Sequence, residues 1–452
     1  FMKILPRKDT AGTILRLALP VIAGLSTQMI LSIVDTAMVG RLENAKYSLA
    51  AMGLGLFATW AIVSFCSSLS TGTHILVARR CGELQYSQCK DVLVNSIFVG
   101  FLLGLVIAII GMLSSYSMAH TFAKDPTVGD LASEYMWWRF IGLPFFLITV
   151  SYRGFFFGIG NVKVFMVSAV LINVSNIFFN YILIYGEFGL PKMGVGGASL
   201  GSSLATMVDA FYYYIVSLLA KKQREKFSLY KQIGLSKDII QALVKLALPV
   251  AFQNVFILLG FLSFVAITGL IGTLEQAATQ AIISTMFLSF LPANGFGIAV
   301  QTLVGNMVGK GKITAAKMFG FETAKIATMY TLALAVLFIG FPEFLLSITT
   351  DDEKIIAAAI PAMRVAGFAQ IFFAAGAVYA LGIQAIGKTV YVMIAEITSN
   401  LLVFVPLSYY FGIYLGFGLE GAWAGLPFYT IIYSLLMWSN FRYGKWDGIK
   451  KI

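Results

Sequence analysis

The sequence predicts an all-α polytopic membrane protein of twelve transmembrane helices, arranged as two pseudo-symmetric bundles of six. Three observations lead there. Hydrophobic residues make up 59% of the chain and charged ones only 12%, too little charge to cover a water-facing surface. Apolar runs of about 20 residues or more, the length that crosses a bilayer core, recur twelve times. The chain also repeats itself. LALPV at Leu17 to Val21 returns at Leu246 to Val250, and VARRCGE ending at Glu83 returns as VGNMVGK ending at Lys310. RFIGLPFF from Arg139 returns as RVAGFAQIFF from Arg364, and GVGGASLG around Gly197 returns as GLEGAWAG around Gly421. The offsets stay near half the chain length, as in a duplicated and fused gene. Repeats of this size in an apolar chain mark transporters that bracket a solute path between two halves.

In chain order, spans are expected at 14–39, with LALPV near its start and Asp35 near its end, then at 48–77, 92–114 and 134–157, the last containing Pro144. An Asn-rich span follows at 164–186 and a Gly- and Ser-rich one at 195–220. These six form an N-terminal lobe, residues 1–220. Residues 221–238, beginning KKQREKFSLYK, form the longest and most basic connection and read as a linker. The second lobe, 239–452, holds spans at 240–271, 278–306, 319–346, 358–386, 390–413 and 419–441. Pro20, Pro144, Pro249, Pro292, Pro361, Pro406 and Pro427 fall in or at the ends of spans, where a missing N–H and a bulky ring bend a helix.

Charge placement orients the chain, because short cytoplasmic loops collect Lys and Arg. With both termini inside, the outer segments hold only Arg41, Lys46, Lys124, Arg139, Lys192, Lys354 and Arg364; the other 25 of the 32 basic residues fall inside. The net charge of +11 is thus explained by the membrane, not by nucleic acid. Cys66, Cys81 and Cys89 all lie in or after the inner half of span 2, where no structural disulfide is expected. His74 and His120 have no ligand-spaced partners, and no phosphate-binding loop is present, so neither metal catalysis nor ATP is expected.

Three acids, Asp35, Asp209 and Glu396, fall inside spans. A carboxylate there costs about 2.5–3.5 kcal/mol on insertion scales and so marks an ion or substrate path. Gln28, Ser32 and Asp35 share one face of span 1 by their spacing of four and three. Asn173, Asn176 and Asn180 form a matching stripe on span 5, and Ser199, Ser202, Thr206 and Asp209 another on span 6. At ~1.5 Å per residue, Asp35, Asn180 and Ser202 lie roughly 8–11 Å below the outer interface and can share a pocket. A lone carboxylate among amides and hydroxyls, with no fixed Lys or Arg beside it, suits exchange of a proton or a sodium ion. Two structural alternatives stand: such stripes also hold membrane bundles together, and a buried carboxyl can be satisfied by Gln28 or by backbone. Asp209 precedes the interface-seeking Tyr212 to Tyr214, and Glu396 is alone on span 11, so each is a secondary candidate, as are Asn173 and Thr206.

Pro20 with DTAMVG from Asp35, LVARRCGE ending at Glu83, RGFFFGIGN from Arg153, the stretch from Asn173 to Ala205 and the repeated LALPV together resemble the multidrug and toxic compound extrusion (MATE) family. The likeness covers essentially the whole chain and is most specific across Asn173 to Ala205. It implies two six-helix lobes around a V-shaped central cleft and export of organic cations, drugs among them, in exchange for protons or sodium. For members with a cation site in the N-terminal lobe, it further implies a site formed here by Asp35, Gln28, Tyr135, Asn176, Asn180 and Ser202. Archaeal members often carry Asp where this chain has Asn180, so the site has one acid fewer. The acids of the branch that uses the C-terminal lobe are missing too: Ile257 and Phe373 stand in their places. The resemblance therefore points to the damage-inducible branch and to proton coupling through Asp35, with sodium held by Asp35, Asn176, Asn180 and Ser202 as the alternative.

No cofactor beyond the coupling ion, no catalytic residue and no enzymatic activity is expected. The expected location is the inner (cytoplasmic) membrane, as a monomer. Two other transporter classes match less well. Flippases of lipid-linked substrates from the same superfamily carry fixed cations in their cavity, whereas the expected spans hold almost no Arg or Lys. Major-facilitator exporters carry an acidic and basic loop signature after span 2 that ARRCGELQ does not match.

Overall fold

The structure, a computed structural model, describes residues 6–231 and 234–446, with Gln28 described in its backbone only. Among the described residues every regular element is helical. The first half comprises α1 (Lys8–Val39), α2 (Ala45–Gly82), α3 (Tyr86–Phe122), α4 (Pro126–Ile141), α5 (Leu143–Gly158), α6 (Lys163–Tyr185) and α7 (Gly194–Leu219). A short α8 (Lys221–Lys226) leads on to α9 (Lys237–Ile271), α10 (Thr273–Gly309), α11 (Ile313–Gly340), α12 (Pro342–Ser347) and α13 (Glu353–Ala385). The chain ends with α14 (Thr389–Ser399), α15 (Val405–Tyr409) and α16 (Gly418–Tyr443).

Each of the twelve expected spans meets a helix. Among the described residues ten helices are long and apolar enough to cross a membrane, and α4 with α5 make an eleventh, bent by 47°. The twelfth expected span falls on α16, which does not reach the same apolarity because its 26 residues include Glu420, Arg442 and several Gly, Ser and Tyr. Large apolar side chains such as Ile110, Leu113 and Leu402 are more than half exposed along these helices, as expected of surfaces that face lipid.

Two of the spans are interrupted in ways that proline explains. Pro144 has no N–H for the ladder, and its ring would press on the carbonyl of Phe140; the chain turns at Gly142, whose N–H closes on Arg139 O at 3.2 Å. The expected span 11 widens into π turns at Asn400–Phe404 and Tyr410–Tyr414, on either side of α15. Pro406 would crowd the carbonyl of Leu402, and a π turn there relieves the crowding.

Contacts divide the chain into two compact units, one running from Ala23 to Ala251, the other taking the chain up to Ile22 and again from Phe252. The exchange happens two residues after the proline of each LALPV copy. Ala18 of the first copy lies in a core with Ile14, Phe296, Val300 and Phe441. Leu246 of the second lies in a core with Ile75, Val92, Phe155 and Tyr213. The start of α1 is further tied down by buried Glu322, whose carboxylate accepts from the Arg7 N–H and from Lys325 Nζ, each at 2.9 Å. Within the unit from Ala23 to Ala251, Gly154 brings α5 onto α2, where a methyl would meet the Ser70 carbonyl.

Candidate coupling site

The candidate residues meet where α1, α4, α6 and α7 pack in the unit from Ala23 to Ala251. Asn176 and Asn180 are four apart on α6, so both side chains leave the same face. Opposite them α7 presents Gly197 and Gly201, a small-residue pair one turn apart that lets two membrane helices approach closely. A methyl at Gly197 would run into the Leu183 backbone, and one at Gly201 into Asn180 Oδ1. Glycine at 201 therefore leaves room for the Asn180 amide where it lies.

The side chains are joined in one line. Asn180 Nδ2 donates to Asp35 Oδ1 at 2.8 Å and to Asn176 Oδ1 at 2.9 Å. Asn176 Nδ2 in turn donates to Ser202 Oγ at 2.9 Å. Both amides are buried, whereas Asp35 and Ser202 also line a cavity of about 140 Å³ with Ser32, Met52 and Tyr135. The carboxylate is thus held from the protein side by an amide and opens on the other side to a small chamber. Asn180 Oδ1 is buried without a partner, so the amide has an unused acceptor beside a group whose charge can change.

Most of the expected set is brought together: Asp35, Asn176, Asn180 and Ser202 by hydrogen bonds, Tyr135 by lining the same cavity. The side chain of Gln28 lies outside the described residues. Asn173 does not join the line; its Nδ2 donates to the Thr27 carbonyl at 2.9 Å, linking α6 to α1. Thr206 donates to the Ser202 carbonyl at 2.9 Å and lies, with Asp209, on a different cavity. Glu396 is buried in the other unit, where Tyr429 Oη donates to its Oε1 at 2.7 Å.

The expectation that Asp35 has no fixed cation near it is corrected. Arg139, assigned from the sequence to an outer segment, sits on α4 one turn beyond Tyr135 and acts on Asp35 electrostatically. Arg153, assigned to an inner segment, likewise lies within α5. Both lie within the expected span 134–157, but charge counting assigns arginines near span ends to the flanking segments. The spacing of four between Tyr135 and Arg139 is the signal that would have found the first.

A family model for MatE matches residues 20–182 and 249–410. The chain belongs to the MATE family. The two matched blocks begin at Pro20 and Pro249, so each repeat carries its own copy of the MATE pattern. Among curated relatives, the probable multidrug resistance protein NorM of Thermotoga maritima is 27% identical, covering 99% of this chain and 96% of its own. The Pseudomonas putida protein of the same description is 28% identical over 91% and 90%. Among solved structures, an outward-facing multidrug resistance MATE family transporter of the MOP superfamily superposes with a TM-score of 0.87 at 23% identity, over 95% of each chain. A MOP superfamily transporter from Pyrococcus furiosus gives 0.86 at 24%, over 99% and 98%. At such identities the structures speak for the fold, and MATE proteins are transporters rather than enzymes.

Proposed function

We propose that this MATE protein is a secondary active exporter that antiports organic, mostly cationic and amphipathic compounds against protons through Asp35. The observation that carries the reading is the unbroken line from Asp35 through Asn180 and Asn176 to Ser202, with Asp35 open to a cavity at its other end. Ionised, Asp35 accepts from the Asn180 amide nitrogen. Protonated, it becomes a donor, and the amide answers by turning its unused oxygen toward it. Gain or loss of one proton therefore reorients the contact between α1 and α6. A proton suits this arrangement better than sodium, because an amide N–H occupies the side of the carboxylate where a metal ion needs oxygen.

The names of the relatives, multidrug resistance proteins in two bacteria, support drugs as the exported class. The same comparison supports the inner membrane as the location, and the Lys and Arg bias supports cytoplasmic termini. In this reading the lobes are residues 1–220 and 239–452, with 221–238 as the cytoplasmic linker, and Ile257 and Phe373, in place of C-terminal-lobe acids, favour the damage-inducible branch. The test is transport of a fluorescent organic cation by purified protein in liposomes, under a proton gradient or a sodium gradient imposed separately. Proton-driven movement that disappears in Asp35→Asn is expected. Sodium-driven movement that needs Asn176 would replace the proton with sodium at the same residues, and no movement under either gradient would overturn the exporter reading.

A further inference from the structure

A second cavity in the same unit, about 270 Å³, opens between α2, α5, α6 and α7. A liquid water takes up about 30 Å³, so this space is sized for a small organic group and not for one ion. Its polar wall carries two opposite charges. Asp209, only 3% exposed, accepts from Ser168 Oγ at 2.6 Å. Arg153 interacts with it electrostatically, yet among the described residues no ion pair joins the two. The guanidinium lies over the Phe165 ring at 5.6 Å, and its Nε is buried without a partner. Thr149, 4% exposed and one turn before Arg153, has its Oγ1 buried and unpartnered on the same wall. Trp60 and Phe146 supply an apolar wall.

Buried polar atoms without partners call for an occupant, and a purely structural Asp and Arg would have closed on each other. We propose that this cavity binds a small aromatic zwitterion, its ammonium toward Asp209, its carboxylate toward Arg153 and Thr149, and its ring on Trp60 and Phe146. The charges select by exclusion as well as attraction. A simple cation drawn to Asp209 is repelled by Arg153, and a simple anion drawn to Arg153 is repelled by Asp209; only a ligand with both charges meets neither repulsion. The site is distinct from the Asp35 chamber but adjoins it along α7, where Ser202 serves one cavity and Thr206 and Asp209 the other. This rests on the export reading, because it names a substrate class for that exporter.

The test is equilibrium binding of radiolabelled L-phenylalanine to the full chain in detergent, with no gradient, competed by phenethylamine (cation only) and 3-phenylpropionate (anion only). L-Phenylalanine should outcompete each single-charge probe by at least tenfold. Arg153→Gln should hand the preference to phenethylamine, and Asp209→Asn to 3-phenylpropionate; because each variant is read by a change of order, simple misfolding cannot imitate it. Equal affinity for phenethylamine and L-phenylalanine in the unaltered protein, an unchanged order in Arg153→Gln, or no L-phenylalanine binding would overturn the proposal. Binding with the expected order but no gradient-driven export would sink the export reading and leave this site standing.

Discussion

Gly201→Ala is the sharpest test of the Asp35 line, because it alters no polar group. The added methyl would occupy the place of Asn180 Oδ1 and force that amide away. Two bonds go with it, one of 2.8 Å to the Asp35 carboxylate and one of 2.9 Å to Asn176. A hydrogen bond to a charged group is worth about 1.5–3 kcal/mol and a neutral one about 0.5–1.5, so roughly 2–4.5 kcal/mol of orienting energy is lost. At about 1.4 kcal/mol per tenfold, the fraction of molecules with Asp35 so held drops roughly 30- to 1,500-fold. Alanine is meanwhile the better helix former by about 1 kcal/mol, which offsets part of the loss in overall stability. Gradient-driven transport in liposomes should therefore fall to the level of Asp35→Asn while the melting temperature shows only a modest change. Asn180→Ala removes the obstructed group, so adding it to Gly201→Ala should cost nothing further. Normal transport by Gly201→Ala, or full additivity of the two substitutions, would refute the reasoning.

Three more expectations are open to measurement. Ser202→Ala removes only the end of the line, one neutral bond of about 0.5–1.5 kcal/mol, and should slow transport by no more than about tenfold, less than Asn176→Ala, which cuts the line in the middle. Glu396→Ala strands the Tyr429 hydroxyl in a buried site at a cost of about 1–3 kcal/mol, seen as a lower melting temperature, whereas Glu396→Gln keeps an acceptor and should lower it less. Gly154→Val drives a side chain into the Ser70 carbonyl, and the overpacking between α5 and α2 should destabilise the protein by about 1–3 kcal/mol or more in a thermal melt.

The helices were legible because a bilayer demands long apolar runs, and Asp35, Asn176, Asn180 and Ser202 because depth and helical spacing together bring them to one level. Backbone detail was not. Hydropathy does not register the bend at Gly142 or the π turns around Pro406, which arise from a missing N–H and a ring contact rather than from polarity. The two arginines were hidden for another reason: a rule that reads Lys and Arg as loop markers discards those that point inward. Tyr135 with Arg139 on α4, and Thr149 with Arg153 on α5, share a spacing of four that would have put Arg139 on the face of Tyr135 and Arg153 beside its cavity. Asn173 had the right spacing for the Asn stripe but spends its amide on the Thr27 backbone, a choice that depends on how α1 packs and leaves no trace in the sequence.

The exchange of helix beginnings between the two units has a consequence for how the protein is made. Ile14 and Ala18 leave the ribosome long before their core partners Ala293 and Phe296. At 5–20 residues per second, the first turns of α1 wait on the order of tens of seconds for the surface they belong to. Leu243 and Leu246 have the opposite schedule, arriving to finish a core whose other members, Ile75 and Phe155 among them, are already in place. Each half thus leaves the ribosome owing a segment to the other, and neither core is complete until that segment arrives.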